Sequence, residues 1–361
     1  MNTVIINSVA ILTAILLLIF AFFAFSYKKG RTVSYKILSA FLFSNALYII
    51  DFSLNSIEQV LGMNLHWFRG FGSSFGFLFG PLLYLFSKSI TQKNFRIRWL
   101  HLVHFIVFGL DFLRILLNAE ISFIFVYGAF HLQTIPYMIA CLVVIINYRM
   151  DIKNYYSSVS KLNLTWMLYV VGAFFIMWMV DLFTFLFIEL NILNPDYESY
   201  FTFLSLLINF VFAVLIFYKA LQYPGFFTNV SDTDRPHKYE QSRLTKEEKK
   251  QYLHNLEQHF EKDKPFLNPD LTISDVAAKL KIPTKYLSQV INESLQKNFY
   301  DLINSYRVEE AKKTLTKEDT SKTVLEILYN SGFNSKSAFN TAFKKHTGYT
   351  PSQYRKQADN S

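Results

Sequence analysis

The chain has 361 residues, 52% apolar and 18% aromatic, with 36 Lys+Arg against 27 Asp+Glu and a formal charge of +9. That length allows two or three domains, and a mean hydropathy of +0.21 is high for a protein that is soluble throughout. The single cysteine, Cys141, excludes an internal disulfide framework and a CxxC metal site. Residues 1–229 hold only 14 of the cations and 9 of the acids, so the last third is charge-dense and slightly basic. A basic excess of that size is not in itself a nucleic-acid signature.

Seven apolar stretches near the length of about 20 residues that crosses a bilayer lie at residues 4–26, 35–55, 70–90, 99–117, 123–147, 164–188 and 200–221. The first lacks a basic leader and a small-residue cleavage site, so it is expected to stay as a span. The fourth carries internal charges, and Pro81 and Pro136 lie within spans, where neighbouring helices can satisfy freed carbonyls. The odd loops are cationic: Lys28, Lys29, Arg31 and Lys36; then Lys88, Lys93, Arg96 and Arg98; then Arg149, Lys153 and Lys161, with Asp151. The even loops hold Glu58 and Arg69, then Glu120, then Glu189, Asp196 and Glu198. Lys and Arg remain on the cytoplasmic side, so residues 1–222 are expected to be a seven-span domain with the N-terminus outside and the C-terminus in the cytoplasm.

Asp51, Asp111, Arg114, His131 and Asp181 all fall in the outer half of their spans, where ionisable groups are costly. Asp111 and Arg114 stand i, i+3 and can pair on one helix face. The functional reading is an outward-opening ligand pocket; the competing one is a set of interhelical polar ties. His101 and His104 form an HxxH pair without carboxylate or cysteine company, and no metal site is assigned to them.

Residues 223–243 are polar and read as a linker. A soluble, cored domain is expected over 244–361. Thr245 and Glu248 have capping-box spacing, and Leu253, Leu256 and Phe260 follow on one stripe. Thr272 with Asp275 begins a second helix, and the turn Lys281-Ile282-Pro283 leads to a third whose inward face is Leu287, Val290 and Ile291. A helix over about 299–315 comes next. The pattern then repeats: a short helix near 323–330, a turn at Gly332, and a helix capped by Ser335 with Ala338, Phe339, Ala342 and Phe343 inward. Two short helices joined by a tight turn make a helix-turn-helix, whose second helix is sized for the major groove.

The segments Leu271-Thr272…Val276-Ala277, Tyr286-Leu287-Ser288, Asn304…Tyr306-Arg307-Val308…Ala311, Ile327…Ser331-Gly332-Phe333 and Thr350-Pro351-Ser352…Tyr354-Arg355 occur in order. Together they resemble the DNA-binding domain of AraC/XylS-type transcription regulators over about residues 248–355. The resemblance implies two helix-turn-helix units on one linker helix, with reading helices in successive major grooves about 34 Å apart. It also implies double-stranded operator DNA and RNA polymerase as partners and a homodimer as a candidate assembly. The first turn departs from the family's Gly-Ser-Pro pattern, and Lys281 is expected to carry a strained backbone.

Periodicity leaves Lys285, Ser288, Gln289 and Asn292 outward on the first reading helix. On the second it leaves Lys336, Ser337, Asn340, Thr341 and Lys344 outward. Gln and Asn can bridge adenine, Lys can reach guanine, and Ser and Thr serve either role. Arg307, Lys345 and Arg355 are candidates for phosphate contacts, and Arg307 and Arg355 equally for structural pairing with Glu309 or Glu326. The fold class expected is all-α: a seven-helix transmembrane bundle followed by an AraC-type domain with two helix-turn-helix units. The expected function is a non-enzymatic, one-component regulator in the cell membrane, answering an unknown small-molecule or membrane signal and requiring no cofactor. The rivals are a DNA-binding domain on a non-sensing anchor, and a transporter or membrane enzyme with a regulatory tail.

Overall fold

The computed structural model describes residues 3–26, 32–54, 70–92, 95–159, 164–190, 195–222, 244–316 and 322–359, with short stretches between 57 and 68. The linker expected at 223–243 lies outside the described residues. Regular structure among the described residues is helical, with one isolated antiparallel bridge between Tyr156 and Thr272. The chain divides into two compact units: Met1–Ile146 with Leu164–Ser231, and Asn147–Asn163 with Asp232–Ser361.

The first unit contains α1 (Thr3–Ser26), α2 (Thr32–Phe52), α3 (Phe71–Ser74), α4 (Phe79–Thr91), α5 (Ile106–Leu116), most of α6 (Phe123–Ile152), α7 (Thr165–Glu189) and α8 (Pro195–Gln222). Among the described residues, five helical segments are long and apolar enough to cross a membrane: Val4–Ser26, Val33–Phe52, Trp99–Leu116, Ile124–Ile152 and Thr165–Phe187. All seven apolar stretches expected from the sequence are helical where they are described, though not each as a single α-helix. The last stretch lies within α8, and the third passes from α3 through a 3-10 turn at Phe75–Leu78 into α4.

The start of α3 is held from α2. The Asp51 carboxylate accepts the backbone N–H of Gly70 and of Ser73, each at 3.0 Å, and so caps α3 as a separate short helix. Backbone and backbone come so close here that a Cβ on Gly72 would lie 2.5 Å from the Leu47 carbonyl oxygen. Phe79 is the centre of an aromatic core, with Phe41, Phe130 and Phe174 at ring-centroid distances of 6.2, 6.5 and 6.2 Å, all edge-on. Large apolar side chains such as Phe22, Trp99 and Leu132 are more than 70% exposed. An apolar surface of that extent suits lipid rather than water.

The second unit contains α9 (Lys246–Asp263), α10 (Ile273–Leu280), α11 (Thr284–Ser294), α12 (Phe299–Leu315), α13 (Val324–Asn330), α14 (Lys336–Thr347) and α15 (Pro351–Asp359). Capping boxes close the starts of α9, α10 and α13, with Thr245, Thr272 and Thr323 each paired to the carboxylate three residues on. The Asn298 side chain accepts from the Asp301 N–H to cap α12, and Ser335 caps α14 by accepting from the Ala338 N–H. One core gathers Leu256, Phe260, Val276, Leu287, Ile291 and Phe299; a second gathers Val308, Ile327, Phe333, Phe339 and Phe343. Helix α12 supplies residues to both and joins the two helix-turn-helix units. Tyr155, from the Asn147–Asn163 segment, belongs to the first of these cores.

The two turns solve one problem differently. Lys281 ends α10 in the left-handed region at φ 56°, the strain its side chain predicts. Gly332 adopts φ +85°, and a Cβ there would lie 2.5 Å from the Phe266 carbonyl oxygen. Gly332→Ala is therefore expected to destabilise the second unit by about 2 kcal/mol or more, read as a lowered denaturation midpoint of the full-length protein in detergent. Gly348→Ala is the control: its φ is +81° but its Cβ would meet nothing within 4 Å. Equal losses at the two positions would contradict the close-contact account.

Candidate nucleic-acid interface and polar pocket

The second reading helix, α14, matches the sequence expectation in every outward residue. Lys336, Ser337, Asn340, Thr341 and Lys344 are all exposed, while Phe339, Ala342 and Phe343 are buried. Lys336 and Lys344 have no ion-pair partner among the described residues, so both ammonium groups remain available to an anion. Lys345 is engaged, its Nζ lying 2.8 Å from the Asp301 carboxylate. Burial pushes the neighbouring His346 below the usual histidine range, with Lys297 and Lys345 adding to the effect. This face combines cations with Asn, Ser and Thr donors and acceptors on a helix of major-groove size, the combination that reads base edges.

The first reading helix, α11, is less open, and the outward placement expected for Ser288 and Gln289 is corrected. Ser288 is 1% exposed and Gln289 5%. Lys285 and Asn292 are half-buried. The Asn292 amide folds back to donate to the Ser288 carbonyl at 2.9 Å, covering that serine. The Gln289 amide donates to Glu293 at 2.9 Å, and Glu293 in turn accepts from Lys249 of α9 at 2.6 Å. Gln289 thus faces α9, one step around the helix from the face that its spacing suggested. Glu293, whose carboxyl is held below the ordinary range by the Lys249 hydrogen bond, is the residue that sequence reasoning missed. Its i, i+4 spacing from Gln289 was the available signal.

Arg307 is structural. It is 1% exposed, and burial pushes its guanidinium down to about 10. It pairs with neither Glu309 nor Glu326 but donates to four oxygens: Phe266 O at 2.7 Å, Asn268 O at 2.8 Å, and Ser157 O and Oγ at 3.2 Å each. Arg355 donates to the Lys322 carbonyl at 2.8 Å, which ties α15 to the start of the second helix-turn-helix.

In the first unit four of the five ionisable residues line two neighbouring cavities. Asp51, Asp111 and Arg114 line one of about 340 Å³ together with Tyr48 and Tyr127. Arg114 Nε donates to Asp111 at 2.7 Å, as the i, i+3 spacing predicts, and Ser74 Oγ donates to the other Asp111 oxygen at 2.6 Å. Asp181 lines a second cavity of about 100 Å³, which shares Tyr48, Phe52 and Phe130 with the first. Tyr127 donates to Asp181 at 2.8 Å. His131 lines neither; its ring is buried against Tyr127, Trp178 and Phe185, with Nε2 3.9 Å from Asp181. His101 Nδ1 accepts from the Arg98 N–H, and His104 Nδ1 meets the Tyr137 hydroxyl at 2.9 Å. No group of three metal-ligating side chains occurs among the described residues.

Two helix-turn-helix units on a shared helix define a DNA-binding domain of the AraC type, and this one carries an exposed polar face on α14. Residues 276–357 match the family model described as a helix-turn-helix domain, and the second unit carries an AraC-type helix-turn-helix domain. The melibiose operon regulatory protein of Escherichia coli (strain K12) is 31% identical over 127 residues, 35% of this chain and 39% of that protein. A helix-turn-helix transcriptional regulator of Pseudoalteromonas carrageenovora, from the cgkA 5' region, is 37% identical over 87 residues, 24% of this chain and 50% of its own. The chain thus spans half or less of the length of these curated relatives. The C-terminal domain of AraT, a response regulator from Geobacillus stearothermophilus, is a solved structure with 32% identity, covering 32% of this chain and 88% of that one at a TM-score of 0.25.

Two substitutions separate reading from holding. Asn340→Ala is expected to cost about 1–3 kcal/mol of discrimination at one base pair, visible as relaxed sequence preference in selection from a random duplex pool. Lys344→Ala should instead weaken binding to all sequences and reduce the salt slope by about 1. An unchanged sequence preference in Asn340→Ala would remove α14 as the reading helix.

Proposed function

We propose that the protein is a one-component transcription regulator held in the cell membrane, with residues 1–222 as anchor and sensor, 223–243 as link and 244–361 as the DNA-binding domain. The observation that carries this reading is the joining, in one chain, of five helices able to cross a bilayer to an AraC-type helix-turn-helix domain. The excess of Lys and Arg in alternate loops supports an outer N-terminus and a cytoplasmic DNA-binding domain. Operator DNA is then read on the inner face of the membrane, with RNA polymerase as the downstream partner and a homodimer as the working assembly. No enzymatic step is assigned.

Sensing is placed at the paired cavities. Asp51, Asp111 and Arg114 surround a space that fits a small effector, and Tyr127 links its lining to Asp181. Ionisable groups at membrane depth are retained where they bind or relay something. An effector that engages the Asp111–Arg114 pair would shift the balance between two helix arrangements by its differential affinity for them.

Replacing the membrane half by one unrelated span is expected to abolish inducible transcription while leaving the protein in the membrane. Retained induction would mean an anchor without a sensor. Asp111→Asn is expected to move the dose–response to inducer by roughly fivefold or more without altering protein level. An unmoved dose–response would take the pair out of the effector site.

A further inference from the structure

The Asn147–Asn163 segment connects two apolar helices, yet its described residues are built into the DNA-binding unit. Immediately after α6 ends at Ile152, the Lys153 carbonyl accepts from the Tyr300 N–H at the start of α12, at 2.9 Å. The Tyr155 carbonyl accepts from the Ile273 N–H, the first of α10, at 2.9 Å, and the Ser157 N–H donates to Leu271 O at 3.1 Å. Ser157 takes two of the four bonds of buried Arg307, and Ser158 Oγ accepts from the Asn334 amide at 2.8 Å. The Tyr155 ring lies in the core with Phe260 and Phe299.

These contacts reach three parts of the reading machinery at once: the first helix-turn-helix through α10, the linker helix through Tyr300 and Arg307, and the second helix-turn-helix through Asn334. Asn334 directly precedes Ser335, the cap of α14. The donors taken are helix-start N–H groups, a guanidinium and an amide, which are the groups that hold backbone phosphates when a helix-turn-helix docks.

We propose that residues 153–158 form an autoinhibitory latch: while seated, they fix the two helix-turn-helix units in an arrangement that excludes duplex DNA, and their release licenses binding. Helix α6 is the input. It carries Tyr127 and His131 of the polar cluster and runs unbroken to Ile152, one residue before the first latch contact. The latch rests on the reading of the second unit as a DNA-binding domain.

The test uses the full chain in lipid nanodiscs with the substitutions Ser158→Cys and Asn334→Cys in a Cys141→Ala background. A short methanethiosulfonate cross-linker joins the two thiols, and dithiothreitol reverses it. The probe is sheared genomic duplex DNA. Cross-linking should lower duplex affinity by roughly tenfold or more, and reduction should restore it. Failure of the thiols to cross-link would overturn the seated latch. Equal duplex affinity in the cross-linked and reduced forms would overturn its inhibitory role and leave the DNA-binding reading intact. No duplex binding by either form would remove the DNA-binding reading and the latch with it.

Discussion

The second unit depends on one buried cation. Arg307 sits in the middle of α12 with its guanidinium withdrawn from water, and isolating such a charge costs several kcal/mol. Four oxygens offset that cost, two from the turn around Phe266 and Asn268 and two from Ser157. The fork geometry of arginine lets one side chain hold three separate chain segments together. Gly332 packs closely against the same Phe266 carbonyl, so the second helix-turn-helix meets the turn that Arg307 holds. Core packing, reading-helix placement and the loop between α6 and α7 meet at this residue.

Much of the second unit was legible from sequence because its rules are local. Capping boxes at Thr245 and Thr272, the Ser335 cap, the strained Lys281 turn and the apolar stripes depend on residues three or four apart, and all take the expected form. The outward face of α14 was legible for the same reason. The face of α11 was not, because Gln289 is positioned by Lys249 through Glu293, and no periodicity within α11 reports a partner 44 residues away in sequence. The membership of Tyr155 in the core of the second unit was hidden more completely, since a tyrosine in a polar loop between two apolar stretches has no local mark of burial.

In the first unit, hydropathy found the apolar segments but not their continuity. The third stretch begins at a helix start held by a carboxylate from α2, a tertiary contact that an apolar count does not register. The Asp111–Arg114 pair was predicted by spacing alone, and Asp51 joins it in lining one cavity. Asp181 and His131 share their depth but not that cavity. Depth along a helix locates a residue in one dimension, and the direction in which it faces is decided by packing.

The proposed function requires operator DNA to be held at the membrane surface. The direct measurement is chromatin cross-linking in cells, followed by recovery of DNA from washed membranes through a tag on the full-length chain. The account predicts discrete enriched sites in the membrane fraction, lost when Lys336, Asn340 and Lys344 are replaced by alanine. Enrichment that survives the triple replacement, or that appears only with a soluble proteolytic fragment, would contradict it.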